Sequence, residues 1–217
     1  MTIFEFYAAP PGTPGNALLN WTQQAVGDVV AYAASYRRAA HALVARRERS
    51  LTGDVGHAAC PIIFLYRHSL ELYLKAVIYR AACLTIDDAE LPLVLPRLWK
   101  DHSLLRLLDM APPLFHALDL HLPSGLRRLR DEILEIATIF DQVDPGSSAF
   151  RYPITSVGRS SLPSHLLVNI FLFAERADST LDHLNIFCIH LMRESVPPSK
   201  QMSLALSPIR RVGEEGT

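Results

Sequence analysis

Cysteine is scarce in this sequence, with three residues among 217. Cys60, Cys83 and Cys188 are far apart, form no Cys-x-x-Cys pair and are odd in number. A disulfide-stapled scaffold, which needs an even set of closely spaced cysteines, is therefore excluded. We expect a reduced, cytoplasmic setting for the protein.

Long apolar runs and an excess of one charge are also missing. The most apolar late run, Leu166 to Ala174, is too short to span a bilayer and is followed by charged residues, so we expect no membrane association. The N-terminal residues carry no basic start, and we expect no signal peptide. The net charge is −1, so no global basic field draws the protein to nucleic acid, although a local basic patch remains compatible with that value.

The common catalytic and metal-binding motifs are absent as well. Nine histidines form no His-x3-His pair and no His-Glu-x-x-His motif, so we expect no metal site. The sequence has no Gly-x-Ser-x-Gly nucleophile elbow and no glycine-rich phosphate loop. We therefore predict no cofactor.

The most informative stretch that is present runs from residue 61 to 79 and predicts a buried helix. Its one proline stands at the start, where a helix tolerates it, and apolar residues cover nearly its whole circumference. Polar residues interrupt this pattern within an arc of about 100°, namely Arg67, His68, Glu71 and Lys75. Since buried charges are costly unless paired, their i,i+4 spacings predict Arg67–Glu71 and Glu71–Lys75 ion pairs. The stripe is either a functional or internal polar site, or the narrow solvent-facing side of an amphipathic helix.

The whole chain reads as an all-α bundle of about five helices around one core. We expect an irregular lead-in at residues 1–15, a single helical domain at 16–193 and a flexible tail at 194–217. Helices are predicted at about 16–49, 57–83, 102–108, 126–141 and 164–193, the last broken near 178–179. A proline-punctuated loop is expected at 87–96, an interruption at 112–113, and a small irregular or hairpin insert before the last helix. The short connector after the first helix predicts antiparallel packing of the first two helices.

A lone arginine, Arg151, follows the fourth predicted helix and lies between two aromatic residues. Its planar guanidinium could fold back onto a carboxylate or hold a phosphate, or it could be exposed on a structural loop. Because the polar stripe carries more positive than negative members, we predict that Arg151 lies near the helix that bears Glu71. Arginine groups at residues 37–49 and 127–130 either contact a nucleic-acid backbone or form solvated helix faces.

Taken together, three segments resemble bacterial proteins of the HEPN type (higher eukaryotes and prokaryotes nucleotide-binding), over roughly residues 16–192. They are Tyr66-Arg67-His68-x-x-Glu71-x-x-x-Lys75, His102-Ser103-Leu104 and Phe150-Arg151-Tyr152-Pro153. The resemblance implies a helical bundle, usually dimeric, that binds nucleotides or RNA. Several branches are metal-independent ribonucleases of toxin–antitoxin and phage-defence systems, with an Arg, four to six residues and a His late in the bundle on facing helices of two subunits. The His then moves a proton and the Arg stabilises phosphate charge.

Arg97 with His102 and Arg159 with His165 have that spacing, but both pairs lie in loops or at a helix start. The resemblance implies His102 or His165 as the proton-transfer group, with Arg97 or Arg159 as the cation. It implies binding residues Arg67, His68, Glu71, Lys75 and Arg151, and we expect these five to cluster with His102.

Three functional hypotheses follow. The first is a HEPN-like nucleotide- or RNA-binding module with metal-independent ribonuclease activity. The second is a non-catalytic module that forms a homodimer or binds an antitoxin-like protein, with the polar stripe as a structural network. The third is an enzyme of another class with a small-molecule pocket. An open cleft lined by the cluster favours binding, whereas a closed, mutually bonded cluster favours structure. Self-association is expected from apolar residues around the last helix, namely Phe171, Phe173, Ile186, Phe187 and Ile189.

Overall fold

The protein is described here by a computed structural model that covers residues 10, 14, 25–49, 56–87, 89–117 and 126–193. The helices in these ranges are α1 Ala25–Glu48, α2 Gly56–Thr85, α3 Leu91–Lys100, α4 Leu104–Ala117, α5 Leu126–Val143 and α6 Ile170–Arg193. Within the same ranges the only β pairing is an isolated antiparallel bridge between Ile154 and Ser160. The all-α prediction is confirmed. The tail predicted at 194–217 and nearly all of the lead-in predicted at 1–15 lie outside the described residues.

The α2 helix is central, and it packs against α1, α3, α4 and α6. Its buried apolar residues point in several directions, because the sequence is apolar around nearly the whole helix; among them are Ile62, Tyr66, Leu70, Tyr73, Val77 and Ile78. None of the described helices is both long enough and apolar enough to cross a membrane.

The α1 and α2 helices run antiparallel, as the short connector predicts. The Ser69 hydroxyl of α2 donates a hydrogen bond of 2.8 Å to the Ala33 carbonyl of α1. One turn earlier on α1, Val30 lies beside Val77, further along α2. Contacts that move backward on one helix as they move forward on the other require opposite directions.

The α3 helix occupies a segment that the prolines predicted to be a loop, and that prediction was wrong. Pro92 stands in the first turn, where the missing N–H has no helical acceptor, and Pro96 lies inside the helix. Leu91 and Leu98 are buried, and their burial offsets the hydrogen bond that Pro96 cannot make. The bundle therefore has six helices in its described part, where the sequence predicted about five.

Two further helix boundaries differ from the prediction. The α4 helix continues through Pro112 and Pro113, which are exposed while neighbouring Ala111 and Leu114 are buried. The α6 helix begins at Ile170 and is unbroken near residue 178, since Ala177, Thr180 and Leu181 are buried along one face. Its start is fixed by Asn169, whose Oδ1 accepts the N–H groups of Phe171 and Leu172, each at 3.1 Å.

The insert before α6 is a turn followed by a small hairpin, as expected. The Thr155 N–H donates to the Arg159 carbonyl at 2.8 Å, and the Ser161 N–H donates to the Pro153 carbonyl at 3.0 Å. Gly158 adopts a φ of 76° in the hairpin turn, a left-handed conformation that glycine adopts without steric cost.

Candidate functional site

The polar stripe of α2 is a buried ion cluster. Arg67, Glu71 and Lys75 are 0%, 1% and 3% exposed. Arg67 Nη1 lies 3.1 Å from Glu71 Oε2, and Lys75 Nζ lies 2.9 Å from Glu71 Oε1. Both predicted i,i+4 pairs are therefore present, and the solvent-facing interpretation of these three residues is wrong. Arg67 and Lys75 were also predicted to contact a ligand, but both are buried so deeply that a ligand cannot reach them.

Arg67 joins two distant connections to α2. Its Nη2 donates to the carbonyl of His102 at 2.8 Å and to the carbonyl of Asp144 at 3.0 Å. Its Nε lies 3.5 Å from Asp144 Oδ2, close enough for an ion pair. Asp144 is fixed in turn, because its Oδ1 accepts the N–H groups of Ser148 at 2.7 Å and Ala149 at 2.8 Å. The α3–α4 connection and the turn after α5 thus meet at one guanidinium.

Glu71 also holds His102, whose side chain is 52% exposed. His102 Nδ1 lies 2.9 Å from Glu71 Oε1. A carboxylate only accepts hydrogen bonds, so Nδ1 is the donor and Nε2 is the acceptor nitrogen of the neutral ring. Burial alone would raise the pKa of Glu71, but the hydrogen bonds from Lys75 and His102 outweigh it and hold that pKa below its usual range.

The backbone at His102 is fixed by hydrogen bonds around the start of α4. Ser103 is the N-cap, because its Oγ accepts the Arg106 N–H at 3.2 Å, and the same hydroxyl donates to Asp141 of α5. Asp101 accepts the Ser103 N–H at 2.9 Å and pairs with Arg106 at 2.9 Å. The helix start predicted at residue 102 was two residues early, since α4 begins at Leu104.

Arg151 lies against α2, but it does not pair with Glu71. Its guanidinium sits over the Phe64 ring at 5.4 Å and over the Tyr152 ring at 5.5 Å, while its Nε donates to the Ser147 carbonyl at 2.7 Å. Among the described residues no carboxylate lies within ion-pair distance of Arg151. The third carboxylate-to-cation contact of the cluster comes from Asp144, which the sequence reasoning missed.

His68 lies on α2 between Phe64, on which Arg151 stacks, and Glu71. Its ring stacks on Phe64 with centroids 5.5 Å apart and meets the edge of Tyr36 at 4.5 Å. Burial lowers the pKa of His68 below 6.5, and the positive charges of Lys75, Arg151 and Arg67 lower it further, against the opposing effect of Glu71.

The other predicted catalytic residues lie outside this cluster. Arg97 is exposed on α3. Helical geometry places Arg97 and Trp99 on opposite sides of buried Leu98, so Arg97 points away from the Trp99 side of the helix. Arg159 lies in the exposed hairpin. His165 is exposed, with Nδ1 2.6 Å from the Ser164 carbonyl, and it precedes α6 by several residues instead of opening it. Only His102 of this set is joined to the buried cluster.

The partly exposed line of α2 and the residues that rest on it form what we call the α2 shelf. Its members are Phe64, His68 and Tyr79 of α2, with Arg151, Tyr152, His102 and Trp99 from the connections and α3. At its far end the Trp99 and Tyr79 rings lie 5.9 Å apart, and the Trp99 carbonyl accepts from Lys75 at 3.2 Å.

Two more carboxylate–histidine pairs occur in the bundle, and the sequence reasoning missed both. Asp178 lies 3.1 Å from His41 Nδ1 and also accepts from Arg37 at 2.6 Å and from the Tyr66 hydroxyl at 2.8 Å. Glu132 of α5 lies 3.1 Å from His183 Nδ1. These pairs join residues far apart in sequence, so no local pattern marks them.

His183 has a further feature that the sequence could have revealed. Six residues separate it from Arg176, which is the spacing that the family resemblance implies, and both lie on α6, the last helix. Seven residues are about two helical turns, so the two side chains share a face. They are about half exposed, and Arg176 pairs with Glu135 of α5 at 2.5 Å.

In the described part of the chain no group of three histidine, cysteine or acidic residues is arranged to hold a metal ion. The chain matches no protein-family model, no curated protein and no solved structure.

Proposed function

We propose that the chain is a HEPN-like module that binds RNA or a nucleotide at the α2 shelf and cleaves RNA without a metal ion. The observation that carries this proposal is the Glu71–His102 pair. A carboxylate with a side-chain exposure of 2% holds Nδ1 of a half-exposed histidine, which leaves Nε2 as the acceptor nitrogen. A histidine oriented in this way suits a general base.

The proposed chemistry needs only a proton carrier and a cation. His102 takes the proton from a ribose 2′-hydroxyl, whose oxygen forms a bond to the adjacent phosphorus while the bond from phosphorus to the 5′-oxygen breaks. The departing 5′-oxygen then receives a proton from water or from protonated His102. Arg151 supplies positive charge on the same shelf, and of its guanidinium nitrogens only Nε makes a hydrogen bond to the described residues. Such a cation stabilises charge that develops on the phosphate.

The buried and exposed parts of the cluster have different roles in this proposal. Arg67, Glu71 and Lys75 bond to each other and to backbone carbonyls, so they fix the positions of the segments around them. His102 and Arg151 form the exposed edge that meets the ligand. The closed interior would by itself favour a structural role, while the open edge favours binding.

A non-catalytic interaction module is the second candidate function, and the closed cluster is the observation that favours it. In that case the shelf would bind a protein, either an antitoxin-like partner or a second copy of the chain. The presence of RNA binding by the isolated protein separates the two candidates.

The α6 helix offers a rival position for the same chemistry. Arg176 and His183 share an exposed face and have the spacing of the family's catalytic pair. We favour His102 because its carboxylate partner is more deeply buried, with Glu71 at 2% side-chain exposure and Glu132 at 10%. A more buried carboxylate holds a ring more rigidly and is less screened by water.

The test is cleavage of labelled single-stranded and structured RNA by the purified protein in EDTA. The variants are His102→Ala, His183→Ala and, as a matched control, His165→Ala, because His165 is exposed and its Nδ1 faces only its neighbour's carbonyl. We expect cleavage in chelator that falls about 100-fold or more in His102→Ala and is unchanged in His165→Ala.

Each contrary outcome has a distinct meaning. Loss of cleavage in His183→Ala alone would move the active pair to α6. RNA binding without cleavage would leave a binding module. No measurable RNA or nucleotide binding by the wild type would reject the proposal in favour of the protein-interaction candidate.

A further inference from the structure

The α2 shelf is much longer than a single nucleotide. Arg151 rests on Phe64 at one end, and Trp99 rests on Tyr79 at the other. At about 1.5 Å per helical residue these ends are about 22 Å apart. His68 and His102 lie between them, His68 on α2 itself and His102 on Glu71.

An aromatic ring is open to solvent at each end. Trp99 is 37% exposed and Tyr152 is 58% exposed. Each ring is braced by a neighbour, Trp99 by the Tyr79 ring at 5.9 Å and Tyr152 by the Arg151 guanidinium at 5.5 Å. Braced, exposed rings stack unpaired bases with little dependence on which base it is.

The charges along the shelf suit an anionic chain. The carboxylates beneath it are covered, with side-chain exposures of 2% for Glu71 and 1% for Asp144, whereas Arg151 and His102 are exposed. Asp101 is 10% exposed and is paired with Arg106. A phosphodiester lying on this surface therefore meets the Arg151 guanidinium and the His102 imidazole before it meets a carboxylate.

We infer that the shelf takes a single-stranded RNA lying lengthwise along α2, with Trp99 and Tyr152 stacking the bases at the two ends. This inference rests on the proposed function and specifies its substrate class. At about 3.4 Å per stacked nucleotide the shelf accommodates about six nucleotides. A mononucleotide reaches one end only, and a duplex hides the base faces that the rings would stack.

The experiment measures binding by fluorescence anisotropy, using a labelled single-stranded RNA octamer, with AMP, an RNA dinucleotide and an RNA hairpin as competitors. The variants are Trp99→Ala, Tyr152→Ala and Trp99→Phe, each checked for an unchanged melting temperature. Leu93→Ala and Ile154→Ala are matched controls, because Leu93 and Ile154 are exposed by 78% and 61%, lie close in sequence to Trp99 and Tyr152, and have no ring to stack.

We expect each alanine variant to weaken octamer binding about 5- to 150-fold, while Trp99→Phe and both controls stay within about twofold. AMP and the dinucleotide should compete far more weakly than unlabelled octamer. Competition by AMP as strong as by the octamer, or by the hairpin duplex as strong as by the single strand, would overturn the inference and leave the proposed function standing. Octamer binding unchanged in both alanine variants would overturn it too. Failure of every RNA and nucleotide to bind would reject both.

Discussion

Glu71 is the residue on which the buried cluster depends, because it is the acceptor for Arg67, Lys75 and His102. Glu71→Ala would leave two buried cations without this partner, and breaking a buried ion pair costs about 3–5 kcal/mol. We expect a loss of that size in the free energy of unfolding, measured by urea denaturation.

A matched control is Glu135→Ala. Glu135 also pairs with an arginine, but its side chain is 57% exposed, and such pairs contribute about 0–1 kcal/mol. Equal losses in the two variants would show that burial does not set the strength of the Glu71 cluster.

His68 and Glu71 give the stability a defined dependence on pH. The pKa of His68 in the folded protein is lowered from 6.5. Below pH 6.5 His68 therefore binds a proton more readily in the unfolded chain than in the folded one. The folded pKa of Glu71 is lowered from 4.5, so its contribution is present above 4.5 and is lost as the pH falls through its folded value. Both effects reduce stability on acidification.

We therefore expect the free energy of unfolding to fall between pH 7.5 and 5.5, and the His68→Phe variant to lose part of that fall. The phenyl ring keeps the contacts with Phe64 and Tyr36 but cannot be protonated. His165→Phe is the control, because His165 is exposed. A pH profile of His68→Phe that runs parallel to the wild type would contradict this assignment.

At this scale the sequence predicted what local spacing encodes. The i,i+4 pairs of Arg67, Glu71 and Lys75 follow from helical geometry, and they are present. Asp144 was missed as the partner of Arg67, because the two are 77 residues apart and a turn residue gives no sign of its distant neighbour. A carboxylate was one of the partners predicted for Arg151, but its guanidinium stacks on aromatic rings instead. The two aromatic residues that flank Arg151 in the sequence could have indicated this.

The start of α4 is the element boundary that most directly positions His102. The Ser103 hydroxyl caps the helix and also bonds Asp141, which joins α4 to α5. We expect Ser103→Ala to lower stability by about 1–2 kcal/mol and to weaken RNA binding, since the His102 backbone loses its adjacent anchor.

The control for this prediction is Ser35→Ala. Ser35 is exposed on α1 and donates to the Ala31 carbonyl one turn earlier, so its loss should change stability by less than about 0.5 kcal/mol. Thermal or urea unfolding of both variants provides the comparison. A Ser103→Ala protein as stable as Ser35→Ala would show that the cap contributes little.

The helices that sequence reasoning placed wrongly share a cause. Prolines at residues 96, 112 and 113 read as breaks, but they lie in helices whose buried leucines outweigh a missing N–H donor. The start of α6 was predicted several residues early, because apolar residues 166–168 extend the pattern beyond the Asn169 cap. Local breakers and caps compete with burial, and only the packed structure decides between them.

At the scale of the whole molecule, we expect the chain to self-associate through α6. Of the apolar α6 residues predicted to mediate self-association, Phe187 is buried in the core, while Ile186 and Ile189 are 53% and 43% exposed. Leu172 on the same helix is 64% exposed. Exposed apolar side chains that are grouped on one face of a helix mark an interaction surface more often than apolar side chains scattered over the protein.

Light scattering at micromolar concentration should therefore give about twice the monomer mass, and Ile186→Glu should shift the mass toward the monomer. Ile154→Glu is the control, because Ile154 is similarly exposed, at 61%, but lies in the hairpin. A monomeric wild type would remove the α6 surface from consideration.

The guanidinium of Arg67 also has a consequence for the order of folding. The carbonyls that accept its hydrogen bonds are 35 and 77 residues away in the sequence. The guanidinium therefore loses its bound water before all of these acceptors are in place. Because loop closure costs entropy before non-local contacts can stabilise the chain, we expect these contacts of Arg67 to form after the rate-limiting step. We expect Arg67→Met to speed unfolding and leave the folding rate nearly unchanged. In a chevron plot this is the behaviour of contacts that form late in folding. A folding rate that fell in proportion to the lost stability would instead place Arg67 in the nucleus.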